Sequence, residues 1–128
     1  MSQPIRILLC SVGALAGVAA FAPISAQTAA PAAPPAFAAC RACHVVQKGA
    51  KSGLGPNLYG VVGRPAASLP GFNYSPAMKS SKLTWDEATL DTYLAGPTKK
   101  VPGTRMPIAT PDPAKRAAII AYLKAAAK

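Results

Sequence analysis

Apolar positions fall into a few short, separated stretches. Leu90, Tyr93 and Leu94 recur at spacings of three and four, the period of one helical face, and Gly96-Pro97 closes that element. Ahead of them Thr84 and Glu87 stand three apart, which predicts a capping box at the helix start. A second stripe, Ile119, Ile120 and Leu123, predicts a last helix that opens with Asp112 as cap and Pro113 in first position and runs through Lys115 and Arg116 to Ala127. Ser75 to Ser80 reads as a short helical turn. Val45 to Asn73 is dense in glycine and proline with only brief apolar pieces, so it predicts an ordered, loop-rich segment and no sheet. Pro34 or Pro35 can open one further helix, which would carry Phe37 and deliver Cys40, Cys43 and His44 from its last turn.

The first residues have a different pattern. Arg6 supplies a positive start, Ile7 to Phe21 an apolar run, and Ile24-Ser25-Ala26 a small-residue cleavage site, so residues 1–26 read as an export signal and the mature chain as starting near Gln27. A membrane anchor is the competing reading, but Ser11 and several small residues interrupt the run and Pro23 follows within the span a bilayer helix needs. Residues 27–36 are almost all Ala and Pro, an extended leader ahead of one domain over residues 37–128. Removing Arg6 from the 14 Lys and Arg leaves 13 against 4 acidic residues, a formal charge of +9. Such a field favours an acidic partner or an anionic membrane face. Nucleic acid is the alternative for a basic domain, but no recognition motif is present and an exported protein rarely meets it.

Cys10 lies inside the export segment, which leaves Cys40 and Cys43 as the mature thiols. A bridge between them would close too small a loop to stabilise a fold, so they serve chemistry. Cys40-Arg41-Ala42-Cys43-His44 is the Cys-x-x-Cys-His pattern of covalent haem: two thiols add to the vinyl groups of the porphyrin and the next residue turns its imidazole onto iron. A structural zinc site needs four Cys or His ligands, and the mature chain has two Cys and one His. A thioredoxin-like pair needs alternating strands and helices, which the Gly- and Pro-rich stretch does not offer. His44 is the only histidine, so a second protein ligand must come from Met78 or Met106. A thioether raises the potential of the iron by favouring its ferrous form. Met106 sits in Val-Pro-Gly-Thr-Arg-Met-Pro, where two prolines and a glycine stiffen the backbone, whereas Met78 reads as an apolar filler on a short helix. Met106 is therefore the expected ligand. A haem also suits a helical domain with few large apolar residues, because its flat face completes the core.

Beyond the attachment motif, the chain resembles the class I soluble cytochromes c from Phe37 to its end. The resemblance rests on Gly55-Pro56-Asn57-Leu58-Tyr59-Gly60-Val61-Val62-Gly63-Arg64, Gly71-Phe72-Asn73-Tyr74-Ser75, Trp85, Tyr93-Leu94, Pro102-Gly103-Thr104-Arg105-Met106 and Ile120-Ala121-Tyr122-Leu123. It implies a small all-α cytochrome c fold, helices and ordered loops wrapped around one covalent haem c, with His44 and Met106 as axial ligands. It places the Pro56 carbonyl on the far nitrogen of His44, Tyr74 and Trp85 at a propionate with Arg64 close by, and Tyr93 and Thr104 on the Met106 side. Read without that resemblance, Trp85 and Tyr93 are ordinary core residues and Arg64 a surface charge. The Pro-rich leader departs from the family pattern by leaving only about two turns ahead of His44, which weakens the expected crossing of first and last helices.

The implied function is that of a periplasmic, monomeric, single-haem electron carrier, not an enzyme. Its expected donor is a quinol-oxidising cytochrome complex (a quinol:cytochrome c oxidoreductase), and its acceptor a cytochrome oxidase or a photosynthetic reaction centre. Arg41, Lys48, Lys51, Lys82, Lys99 and Lys100 are candidates for a positive ring around the docking face, with transient contact to anionic membrane as a corollary. Two rivals stand: a ligand-binding or peroxidatic haem protein, if Met106 leaves the iron open, and an electron-accepting partner of a periplasmic dehydrogenase, which calls for a larger, more apolar docking surface.

Overall fold

The computed structural model describes residues 31–126. The expected export segment, the first part of the leader and Ala127 lie outside the described residues.

Helical turns carry the fold, and each begins where local chemistry allows. Two tight 3-10 turns, Pro35–Phe37 and Cys40–Ala42, are followed by α1 (Pro76–Ser80), α2 (Glu87–Ala95), α3 (Pro97–Lys100) and α4 (Pro113–Ala125). Asp112 caps α4 by accepting from the Ala114 and Lys115 amides, with Pro113 in the first turn as expected. Ser75 caps α1 through the Met78 amide. The expected Thr84–Glu87 capping box does not form: Asp86 is the cap of α2 and accepts from the Thr89 amide at 2.7 Å. Thr84 is instead drawn into an antiparallel bridge with Pro65, and the chain reaches helical geometry only after that bridge ends. Gly96 closes α2 as predicted, and Pro97 then opens α3, a turn the pattern did not suggest.

The segment ahead of His44 differs from the single expected helix. It is split into its two 3-10 turns, although His44 N–H still reaches the Cys40 carbonyl at 2.9 Å. Ala33 and Ala36 already pack against the core, so ordered packing starts before Phe37. The crossing with the last helix survives this shortening. Phe37 is only 1% exposed, and its ring lies 4.8 Å from that of Tyr122 on α4.

Ile119, Ile120 and Leu123 of α4, Leu90, Tyr93 and Leu94 of α2, and Phe37 form one buried cluster with Val61, Met78, Trp85 and Val101. Among the described residues no strand forms and no helix is long and apolar enough to cross a membrane. The loop-rich run is tied down by bridging bonds on either side of Pro65, Ala66 N–H to Leu83 O and Trp85 N–H to Arg64 O.

Candidate functional site

The loops and helices enclose a cavity of about 840 Å³. Its wall includes Cys40, Cys43, His44, Pro56, Arg64, Tyr74, Trp85, Tyr93, Thr104 and Met106, so the residues expected to attach, ligate or surround the haem meet there, whereas the cations expected to ring the docking face do not line it. Met78 lines it as well, buried on α1.

His44 is held from two sides. Its Nδ1 donates to the Pro56 carbonyl at 2.8 Å, which fixes the tautomer and leaves Nε2 with its lone pair free. Gly55 lies so close to the ring that a Cβ there would collide with the imidazole, which explains a glycine at this point of the loop. Proline at 56 suits the acceptor because it has a carbonyl and no competing N–H. Asn57, which the sequence reading gave no role, is the centre of this loop. Buried, it donates to the Gln47 and Ala50 carbonyls at 2.8 and 2.9 Å and accepts from the Tyr59 amide. Arg64 lines the cavity while its guanidinium donates to the Tyr59 and Asn57 carbonyls, so it is more than a solvated surface charge.

Met106 lies on a strap that runs from Thr104 to Asp112 along the cavity. A type II turn starts it: Thr104 N–H bonds the Val101 carbonyl, Pro102 fixes the first central position, and Gly103 has φ 88°. Thr104 Oγ1 and the Tyr93 hydroxyl share a hydrogen bond of 2.8 Å, and the Met106 amide donates to the same Thr104 oxygen. Burial pushes the Tyr93 phenol above its ordinary pKa, opposed by the bond to Thr104. Burial raises Tyr74 too, with nearby Arg64 pulling the other way. Trp85 stacks obliquely on Tyr93 at 4.9 Å.

Cys40 and Cys43 are not bridged to each other, and burial pushes the Cys40 thiol up. Among the described residues no group of three or more His, Cys, Asp and Glu side chains could hold a metal ion. The cavity fits a haem: its lining is mostly apolar, two thiols and an imidazole stand at spacings that match the attachment chemistry, and a thioether faces the same space.

Charge is segregated. All four acidic residues belong to α2 or its cap and to the cap of α4. Asp86 and Asp112 serve helix ends, Asp91 pairs with Arg116, and Glu87 with Lys124. Arg41, Lys48, Lys51, Lys82, Lys99 and Lys100 are exposed and form no ion pair among the described residues.

A helical shell around one apolar cavity, with a Cys-x-x-Cys-His motif in its wall, defines a protein built to hold a covalent haem. Comparison with known proteins narrows this. The chain is 56% identical over 81 residues to cytochrome c2 of Rhodomicrobium vannielii, a match covering 62% of the chain and 65% of that relative. It is 52% identical over 81 residues to cytochrome c2 of Rhodoblastus acidophilus, covering 62% of the chain and 76% of the relative. Among solved structures, cytochrome cH from Methylobacterium extorquens superposes with a TM-score of 0.65 at 52% identity, covering 70% of this chain and 90% of that one. No family model matches the chain. The chain belongs to the class I cytochromes c. It accordingly carries one covalently attached haem c, and it belongs among electron carriers rather than enzymes.

Proposed function

We propose that this chain is a single-haem periplasmic carrier that takes one electron from a quinol-oxidising cytochrome complex and passes it to a terminal oxidase or photosynthetic reaction centre. Cys40 and Cys43 would hold the haem through thioethers, and His44 Nε2 and the Met106 sulfur would be the side-chain donors to its iron. The observation that carries this reading is the bond from His44 Nδ1 to Pro56 O at 2.8 Å, in one cavity with Met106. It commits Nδ1 as donor and makes Nε2 the better ligand to a metal.

The bound haem supplies a one-electron couple, ferrous to ferric, with no bond made or broken in the protein. The chain's own residues keep that change inexpensive. Pro56 and Gly55 prevent His44 from turning, and the Thr104–Tyr93 bond steadies the base of the Met106 strap. Among the described residues every buried side-chain polar atom has a partner, so the wall does not have to rearrange around orphaned dipoles when the charge changes. Tyr74 and Trp85, with Arg64 nearby, form the side of the cavity assigned to the propionates. With both His44 and Met106 donating to the iron, the bound group would supply electron transfer and no site for substrate.

Docking follows from the segregated charge. The unpaired cations favour a partner with an acidic face, fast salt-sensitive association and a small contact. Leu54 and Ile108, 84% and 56% exposed, both border the cavity and supply apolar contact within that field. The carrier works as a monomer and touches anionic membrane only transiently.

The test is spectroscopic. Reduced and oxidised holoprotein should be low-spin, with a weak far-red band from thioether to ferric iron that vanishes in Met106→Leu. A high-spin spectrum, or ready binding of carbon monoxide by the wild type, overturns the ligand assignment and favours the ligand-binding rival. Turnover with candidate oxidases that does not fall with ionic strength overturns the docking reading.

A further inference from the structure

We propose that Arg116 is a positioning residue for the iron's sulfur ligand: with Asp91 it anchors the far end of the strap on which Met106 is suspended. This rests on the reading of Met106 as the axial ligand.

The strap is fastened at its ends and bare between them. Its near end has Thr104 bonded to Tyr93 and the Arg105 guanidinium on the Asn73 carbonyl at 2.9 Å. Among the described residues, no hydrogen bond holds Pro107, Ile108 or Ala109, and all three are exposed. The far end is held at Thr110 and Pro111. Thr110 N–H donates to Leu94 O at 2.7 Å, while Arg116 Nη1 donates to the Thr110 and Pro111 carbonyls at 3.1 and 2.7 Å. The guanidinium is itself fixed by Asp91, with Nε on Oδ1 at 2.7 Å and Nη2 on Oδ2 at 3.4 Å.

This is unlike the other ion pair on the same two helices. The Arg116 side chain is 11% exposed, whereas Lys124 and Glu87 are each more than half exposed and touch no loop carbonyl. A planar fork can serve a carboxylate with one edge and carbonyls with another, which an ammonium cannot. Asp91, Tyr93 and Leu94 thus let one helix, α2, take part in both anchors, and Arg116 carries the restraint across from α4. With the far anchor lost, the thioether loses its preorganisation, and an external ligand competes better for the iron.

The experiment titrates ferric holoprotein with imidazole and follows the far-red band. Arg116→Met should bind imidazole at least about tenfold more tightly, the scale on which losing a charge-assisted hydrogen bond acts, and should weaken the band before imidazole is added. Arg116→Lys should fall between that variant and wild type. Lys124→Met should match wild type. If Arg116→Met does not fold, Asp91→Asn carries the test and should tighten imidazole binding by about threefold, because the carbonyl bonds remain. The proposal is overturned if Arg116→Met, or Asp91→Asn in its place, is indistinguishable from wild type. It is also overturned if Lys124→Met shifts binding as far, since the cause would then be general loosening of α2 against α4. A wild type that lacks the band fails the ligand reading itself, and the strap proposal falls with it.

Discussion

Helices α2 and α4 satisfy their backbone along their own length and close their starts with Asp86 and Asp112, whereas the run from Val45 to Arg64 lends its carbonyls to side chains. The helix pair is a packing structure, built on Phe37, Leu90, Leu94, Ile119 and Leu123. The His44 loop is a polar structure, in which Asn57 and Arg64 stand in for the hydrogen bonds a helix or sheet would provide. A cofactor ligand is better served by the second design. Loops can bring an imidazole and a thioether to one cavity from residues 62 positions apart, His44 and Met106, at the cost of depending on single polar residues.

That contrast can be probed by its largest consequence first. Phe37→Ala removes the buried ring that joins the attachment segment to α4 and should cost about 3–5 kcal/mol in guanidinium unfolding, as cavity formation in a core does. Asn57→Ala removes little apolar area but strands two carbonyls and an amide, and should still cost about 2–4 kcal/mol. A loss below about 0.5 kcal/mol, the range of an ordinary surface change, would abolish the distinction drawn between the two regions. The smallest effect is that of pH. The phenols of Tyr74 and Tyr93 are raised by burial above their ordinary value of 10.0, so their stabilising contribution is complete below that pH and is lost as pH climbs through the folded values. Unfolding midpoints measured across this range should decline, and Tyr93→Phe should flatten the decline. A curve unchanged by that substitution assigns the loss elsewhere.

The site was more legible than the fold around it. Covalent chemistry demands a fixed spacing, so Cys40, Cys43 and His44 can be read from five consecutive residues, and a lone histidine leaves two methionines as candidates for the proposed sulfur ligand. The Asp112-Pro113 start of α4 was equally plain because a cap is a local interaction. Thr84 and Glu87 misled for the complementary reason: their spacing fits a capping box, but Thr84 is taken by a bridge to Pro65, nineteen residues away, and Asp86 caps instead. Asn57 and Arg116 had no local signature. Arg116 looked like one more helix cation, and nothing in its neighbours pointed to Asp91 or to the Thr110 carbonyl.

The residues themselves determined the attachment chemistry, the pair of helical stripes and the excess of positive charge, because each depends on composition or on contacts a few positions long. Tertiary structure alone decided which carbonyl orients His44 across the cavity wall, where the acids gather to leave the rest of the surface cationic, and how the strap bearing Met106 is held at both ends. Those outcomes depend on groups distant in sequence meeting within hydrogen-bond range, a condition that only the closed fold imposes.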